Sequence, residues 1–259
     1  MSIPKIIHYC WFGRNTKPPL AEKCIRSWKK YCLDYEIIEW NEDNFDISAC
    51  PLYVRQAYEA KKWAFVTDYV RLKVVYDHGG IYMDTDVELK KSLNSLLCHK
   101  AYFGFEDGIL INTGLGFGAV SGHPIAKEIL DDYEGISFLL DDGSFDKETC
   151  PSRNTKILLR HGLRQDDSRQ ILEDDVLILP SIYLCPVSYE TGKRKYSMKT
   201  VSIHWFDASW QTEEQRIRHR EKIARDRKDY IVHLPNRMVR KIVGKNTYEK
   251  IKRLLKRGR

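Results

Sequence analysis

The sequence predicts an α/β fold, a mixed sheet layered by helices. Short apolar runs of strand length alternate with segments of helical period through the first two-thirds of the chain. Glycine and proline clusters punctuate the boundaries between them. With 42% hydrophobic and 31% charged residues the composition is that of a globular protein, and 259 residues suffice for one domain with an appendage.

The elements follow in order. Lys5 to Trp11 reads as a buried first strand, and Gly13 to Pro19 as a loop closed by Pro18-Pro19. Ala21 to Tyr31 is predicted helical, Tyr35 to Trp40 a second strand, Asn41 to Asn44 a turn and Tyr53 to Ala60 a short helix. Ala64 to His78 is apolar on most sides, so a buried helix is expected, ended by Gly79-Gly80. Beyond it, Ala101 to Phe105 and Leu115 to Val120 read as strands and Pro124 to Tyr133 as a helix. Thr155 to His161 is helix-like, Val176 to Leu179 and Thr200 to Trp205 are strands, and Thr212 to Arg227 is helical. There is no internal repeat and no glycine-rich phosphate loop of the Walker or dinucleotide type.

Bulk properties exclude several classes. No run approaches the roughly 18 apolar residues of a membrane span, and the N-terminus lacks a signal-peptide pattern. Seven cysteines without a Cys-x-x-Cys pair argue for reduced thiols in a cytoplasmic protein. Charge is unevenly placed: residues 216–259 carry a net +13 and the rest −6. An acidic body with a basic tail implies a division of labour.

The chemistry concentrates in Gly79-Gly80-Ile81-Tyr82-Met83-Asp84-Thr85-Asp86. Strand alternation would turn Asp84 and Asp86 to the same side, where two carboxylates repel unless a cation sits beside them. A divalent metal carrying a diphosphate is the natural candidate. Upstream, Asp68 and Arg71 lie three apart on one face of the predicted buried helix. They form either a structural ion pair or part of the same pocket, and the short glycine connection favours the pocket.

Ala64-Phe65-Val66-Thr67-Asp68-Tyr69-Val70-Arg71 followed by Gly79 to Asp86 resembles the signature of DXD-containing glycosyltransferases. The resemblance is strongest to glycosyltransferase family 32, which includes initiating α-mannosyltransferases of yeast and bacterial capsule and lipopolysaccharide transferases. The glucosylating domains of clostridial toxins are more distant. Ile3 to His8 with Trp11-Phe12-Gly13, and the late pair His204-Trp205 and Ser209-Trp210, extend it over about residues 3–210. It implies a GT-A fold over residues 1–212, a nucleoside-diphosphate sugar as donor, Mn2+ (or Mg2+) as cofactor and retention of configuration. Carried over residue by residue, Trp11 stacks on the nucleobase, Asp68 and Arg71 contact the donor sugar, and Asp84 bonds ribose and sugar. Asp86 and His204 ligate the metal, Tyr82 packs on the nucleotide, and Ser209 and Trp210 bond the β-phosphate. Asn112 matches an asparagine near the donor sugar, or else is a turn residue before Gly114. Glu106 and Asp107 precede it as carboxylates that could face an acceptor.

The expected reaction is hexose transfer, a UDP-sugar donor above all, to a saccharide acceptor. A polyprenyl-linked intermediate of bacterial surface polysaccharide is the favoured acceptor and a protein acceptor the alternative. No far-face nucleophile is identifiable, so front-face transfer is expected, the diphosphate taking the acceptor proton. Residues 213–259 form the basic helical appendage, whose interleaved apolar positions suit either a peripheral contact with the inner membrane or a solvated helical pair. A nucleic-acid-binding protein would explain the tail but not the acidic body, and a silent scaffold would not need the full motif set.

Overall fold

The computed structural model describes residues 2–146, 148–207 and 211–232. These fall into two compact units: 2–189 with 193–207, and 190–192 with 211–232. In chain order the first unit contains β1 (Ile6–Cys10), α1 (Pro19–Tyr31), β2 (Glu36–Trp40), α2 (Leu52–Glu59), α3 (Trp63–His78), β3 (Gly80–Tyr82) and β4 (Val87–Leu89). It continues with β5 (Ala101–Glu106), β6 (Leu110–Ile111), β7 (Phe117–Ala119), α4 (Pro124–Asp131) and α5 (Cys150–Arg160). It closes with β8 (Gln170–Leu172), β9 (Val176–Leu179), α6 (Ser181–Leu184) and β10 (Ser202–His204). The second unit is built on α7 (Glu213–Val232).

The main sheet has the order β2-β1-β3-β7-β5-β9-β8, with β6 on β5. The expected mixed α/β sheet is therefore present. Strands β2, β1 and β3 are parallel, β7 runs against both β3 and β5, and β5 is parallel to β9. Strands β1, β2, β3, β5 and β9 thus end at one edge.

Strands buried on both faces explain the unbroken apolar runs of the sequence. Phe103, Phe105, Val176 and Ile178 face a cluster that includes Val54 of α2, Val70 of α3, Ile129 of α4 and Leu158 of α5. Their alternate neighbours Tyr102, Leu177 and Leu179 join Cys24 and Trp28 of α1 on the other face. Helix α1 opens on proline and buries Ala21, Cys24, Ser27 and Trp28, one stripe at helical spacing. Helix α5 begins at Cys150 rather than at Thr155: Thr149 caps it by accepting from Ser152 N, and proline follows at its first turn.

The glycine pair after α3 is held by close approach. Gly79 and Gly80 take φ of 66° and 105°, and a Cβ on Gly80 would come within 2.8 Å of Ile6 O and 3.0 Å of His8 Nε2. His8 is fully buried in β1, and its Nδ1 accepts from Trp40 Nε1 at 3.1 Å. Its proton therefore sits on Nε2, which donates to Gly79 O at 2.8 Å. The ring of His78 stacks on Trp40 beside it. In the second unit, α7 carries ion pairs from Arg216 and Arg220 to Glu213 and from Arg218 to Glu214. The apolar positions of the tail beyond residue 232, Ile242 and those within Tyr248 to Leu255, lie outside the described residues.

Burial lowers the His8 pKa to about 4, against the bond to Gly79 and with the help of His78. Between the ordinary value of 6.5 and about 4, the unfolded chain binds a proton that the folded chain refuses. Stability present above pH 6.5 is accordingly lost as pH falls through this window, by roughly 3 kcal/mol in full. Denaturant titrations at pH 7.5 and pH 5 should show this loss in the wild type and a smaller one in His8→Gln; equal slopes in the two proteins would refute the assignment.

Candidate active site

The carboxyl edge of the parallel strands is where an open α/β sheet leaves a crevice for ligand. Trp11 follows β1 there, Asp84 and Asp86 follow β3, and Glu106 ends β5. The two aspartates do not lie along a strand, as alternation had suggested. β3 ends at Tyr82, and residues 84–87 form a turn closed by Val87 N donating to Asp84 O at 3.0 Å. This turn, not the pleat, brings both carboxylates to one side.

Each aspartate has its own support. The Arg71 guanidinium projects from α3 and lies 3.1 Å from both Asp84 Oδ1 and Asp68 Oδ1. It also donates to Thr67 O at 3.1 Å and Thr67 Oγ1 at 3.3 Å, and Cys150 Sγ is 3.7 Å away. The Tyr82 hydroxyl donates to Asp84 Oδ1 at 3.0 Å. Burial opposes charge on Arg71, yet Asp84 and Asp68 hold it protonated well above its ordinary range. Burial pushes Asp68 up to about 6 against the pull of Arg71, and burial likewise raises Asp84.

Asp86 is supported from far along the chain. β10 pairs antiparallel with β4, placing His204 opposite Val87. His204 Nε2 then lies 3.1 Å from Asp86 Oδ1, and Asp207 N donates to Asp86 Oδ2 at 2.8 Å. Trp205 N donates to Asp86 O, and its indole N–H reaches Glu88 Oε2 at 2.9 Å. Burial works against the charge of Asp86, but His204 and the backbone N–H bring its pKa below the ordinary range. Burial lowers and Asp86 raises the His204 pKa, and the rise dominates.

One donor atom each from Asp84, Asp86 and His204 lies within 4.8 Å of the others. Two carboxylates and an imidazole are a ligand set suited to manganese-type cations. Among the described residues His204 Nδ1 is buried with no geometric hydrogen-bond partner, and the Cys185 thiol interacts with the ring. The residues fit a divalent metal.

The remaining candidates fall around this cluster. Trp11 is half-buried, with its indole N–H on Asn15 O at 2.6 Å and Lys17 Nζ 5.6 Å from its ring centroid. Asn112 is a turn residue: its Oδ1 accepts from Gly114 N at 2.6 Å, and its Nδ2 donates to Glu106 Oε2 at 2.6 Å. Asp107 takes a φ of 48° in the turn that follows β5. Ser209 and Trp210 lie outside the described residues.

Sequence reasoning assigned no site role to Gly114 or Thr67. Asp84 N donates to Gly114 O at 3.1 Å, and a Cβ on Gly114 would overlap Asp84 Oδ2. Cys150 lies 3.1 Å from Thr113 Oγ1 and accepts from Asn154 Nδ2 at 3.2 Å, packing α5 against the Arg71 pocket. The glycine in Asn112-Thr113-Gly114 was a visible signal, but its partner 30 residues upstream was not.

The mixed α/β sheet thus carries an Asp-x-Asp cluster and a late histidine at its carboxyl edge. Residues 18–103, about a third of the chain, match the family model described as "Glycosyltransferase sugar-binding region containing DXD motif". Among curated proteins, the chain is 28% identical over 146 residues to Inositol phosphoceramide mannosyltransferase 3 of Schizosaccharomyces pombe. It is 29% identical over 152 residues to Inositol phosphoceramide mannosyltransferase 2 of the same organism. These matches cover 53% and 51% of this chain but 39% of each relative. Among solved structures, PaToxG Glycosyltransferase aligns with a TM-score of 0.46 at 20% identity, covering 61% of this chain and 69% of that one. A glycosyltransferase involved in glycosylation of the PBCV-1 major capsid aligns with a TM-score of 0.45 at 13% identity, covering 84% of this chain and all of that one.

Because a side chain at Gly114 must displace Asp84, Gly114→Ala should weaken Mn2+ binding in the presence of UDP by roughly 10–100-fold. Titration calorimetry on the folded variant checks this; unchanged Mn2+ affinity would show that Gly114 does not set the cluster.

Proposed function

We propose that this chain is a metal-dependent, retaining glycosyltransferase that moves a hexose from a nucleoside-diphosphate sugar, a UDP-sugar above all, to a saccharide acceptor. The observation that carries the reading is the convergence of Asp84, Asp86 and His204 on one point at the carboxyl edge of the sheet. Asp86 and His204 would hold the cation, with Asp84 beside them. The bound cation would act as a Lewis acid for the leaving diphosphate.

The chain's own side chains divide the remaining work. Trp11, at the end of β1, offers an indole face for the base. Arg71 is engaged by Thr67, Asp68 and Asp84, so its part is to fix Asp84 and hold it against repulsion from Asp86. Tyr82 constrains the same carboxylate through its hydroxyl. Ser209 and Trp210 supply further donors for the β-phosphate on this reading. The absence of a nucleophile assignable to the far face of the sugar favours front-face transfer, with the acceptor proton passing to the departing diphosphate.

The acceptor we favour is a lipid-linked saccharide of bacterial surface polysaccharide synthesis, met at the cytoplasmic face of the membrane by residues 213–259. No helix among the described residues is long and apolar enough to cross a membrane. The names of the curated relatives make a mannosyl donor the second choice for testing.

Donor hydrolysis with Mn2+ and a panel of UDP-glucose, UDP-galactose, UDP-N-acetylhexosamine and GDP-mannose tests the reading. Turnover of at least one donor is expected, abolished by chelation and reduced at least about a hundredfold in Asp86→Ala. Near-normal turnover in that variant would overturn the metal assignment. Flotation with anionic liposomes should carry the full chain and leave behind a truncation at residue 230; equal flotation of the two would remove the membrane role of the tail.

A further inference from the structure

Glu106 is a largely buried carboxylate at the last position of β5, yet one of its oxygens is uncommitted. Oε2 accepts from Asn112 Nδ2 at 2.6 Å, while Oε1 has no hydrogen-bond partner among the described residues. Burial raises its pKa, the Asn112 bond opposes that rise, and His204 and Asp84 act on it through space. Its surroundings are rigid. Asn112 accepts from Gly114 N through Oδ1 and donates to Glu106 through Nδ2. The turn after Glu106 is braced by Gln165 Nε2 donating to Ile109 O at 2.8 Å and by Gly108 packing against Asp167.

A part-buried carboxylate with one satisfied oxygen and one open to solvent can accept from a hydroxyl. Its place decides which hydroxyl. Glu106 and Asp84 are joined by a short relay: Glu106 to Asn112, Asn112 to Gly114 N, and Gly114 O to Asp84 N. The carboxylate thus stands on the turn that abuts the Asp84–Asp86–His204 cluster. On the glycosyltransferase reading, the sugar of a donor held at that cluster would lie beside this turn.

We propose that Glu106 is the specificity residue of the donor site, its free oxygen accepting a hydrogen bond from a hydroxyl of the transferred hexose while Asn112 locks its orientation. This inference rests on the glycosyltransferase reading, and it assigns a sugar contact to Glu106.

Binding measured without turnover tests it. Calorimetry with Mn2+ compares UDP with UDP-glucose and GDP with GDP-mannose, for wild type, Glu106→Ala and Glu106→Gln, all as the full chain. For whichever pair the wild type binds, the sugar nucleotide should bind roughly ten- to hundredfold more weakly to Glu106→Ala. The bare diphosphate should bind it as it does the wild type, and Glu106→Gln, which keeps an acceptor oxygen, should lie between. Equal weakening for nucleotide and sugar nucleotide would make Glu106 a support of Asp84 and overturn the proposal. Unchanged binding of both would overturn it as well. In either case a wild type that binds the donor leaves the transferase reading standing, whereas a wild type that binds no nucleotide in the panel overturns both.

Discussion

The site depends on the buried Arg71 guanidinium. It stands on α3, 5% exposed at its side chain, and divides its charge between Asp68 on its own helix and Asp84 on the following turn. Removing Arg71 would leave two partly buried carboxylates without their counter-ion, at a cost of roughly 3–5 kcal/mol, so both aspartates depend on it. Their geometry follows from the glycine pair that ends α3. Gly79 and Gly80 turn the chain back into β3 with no side chain in the way, and the hydroxyl of Tyr82, last in that strand, meets Asp84.

This arrangement resolves the repulsion inherent in an Asp-x-Asp pair. Asp84 has a permanent counter-ion in Arg71, and Asp86 faces a titratable one in His204. The two carboxylates are therefore not equivalent. Burial leaves Asp84 less acidic than an ordinary aspartate, while His204 and the backbone N–H of Asp207 make Asp86 more so. A cation replacing the proton on His204 would find Asp86 already ionised, which is the chemical ground for giving Asp86 the leading part in metal binding.

Most of the sheet was legible because its central strands are buried on both faces and so read as unbroken apolar runs, as in Ala101 to Phe105 and Val176 to Leu179. The amphipathic α1 and the apolar α3 were legible from their periods. Strand β8 was not, since three residues with Ile171 exposed carry no pattern. The start of α5 was hidden because Cys-Pro-Ser-Arg-Asn has weak helical propensity, and the Thr149 cap and proline at the first turn decide it. In the site, the Asp68–Arg71 pair was visible from helical spacing alone. The turn holding Asp84 and Asp86 was misread as strand because β3 stops two residues early. Contacts such as Gly114 on Asp84 and Cys150 beside Arg71 are tertiary, and spacing along the chain does not encode them.

A nucleoside diphosphate is itself strongly negative, and the cluster that would receive it is built from carboxylates. Without a cation, Asp84, Asp86 and Glu106 would repel such a ligand, and the single guanidinium among them is already divided between Asp68 and Asp84. Donor and cation must then strengthen each other's binding, by the same factor in each direction. The acidic body of the chain acquires a physical role on this view. It leaves the site with little affinity for phosphates in general and reserves it for a diphosphate that arrives with its metal. The carboxylate of Glu106, one step out from the cluster, extends the same selection to the sugar, because a hydroxyl can satisfy it and a further phosphate cannot.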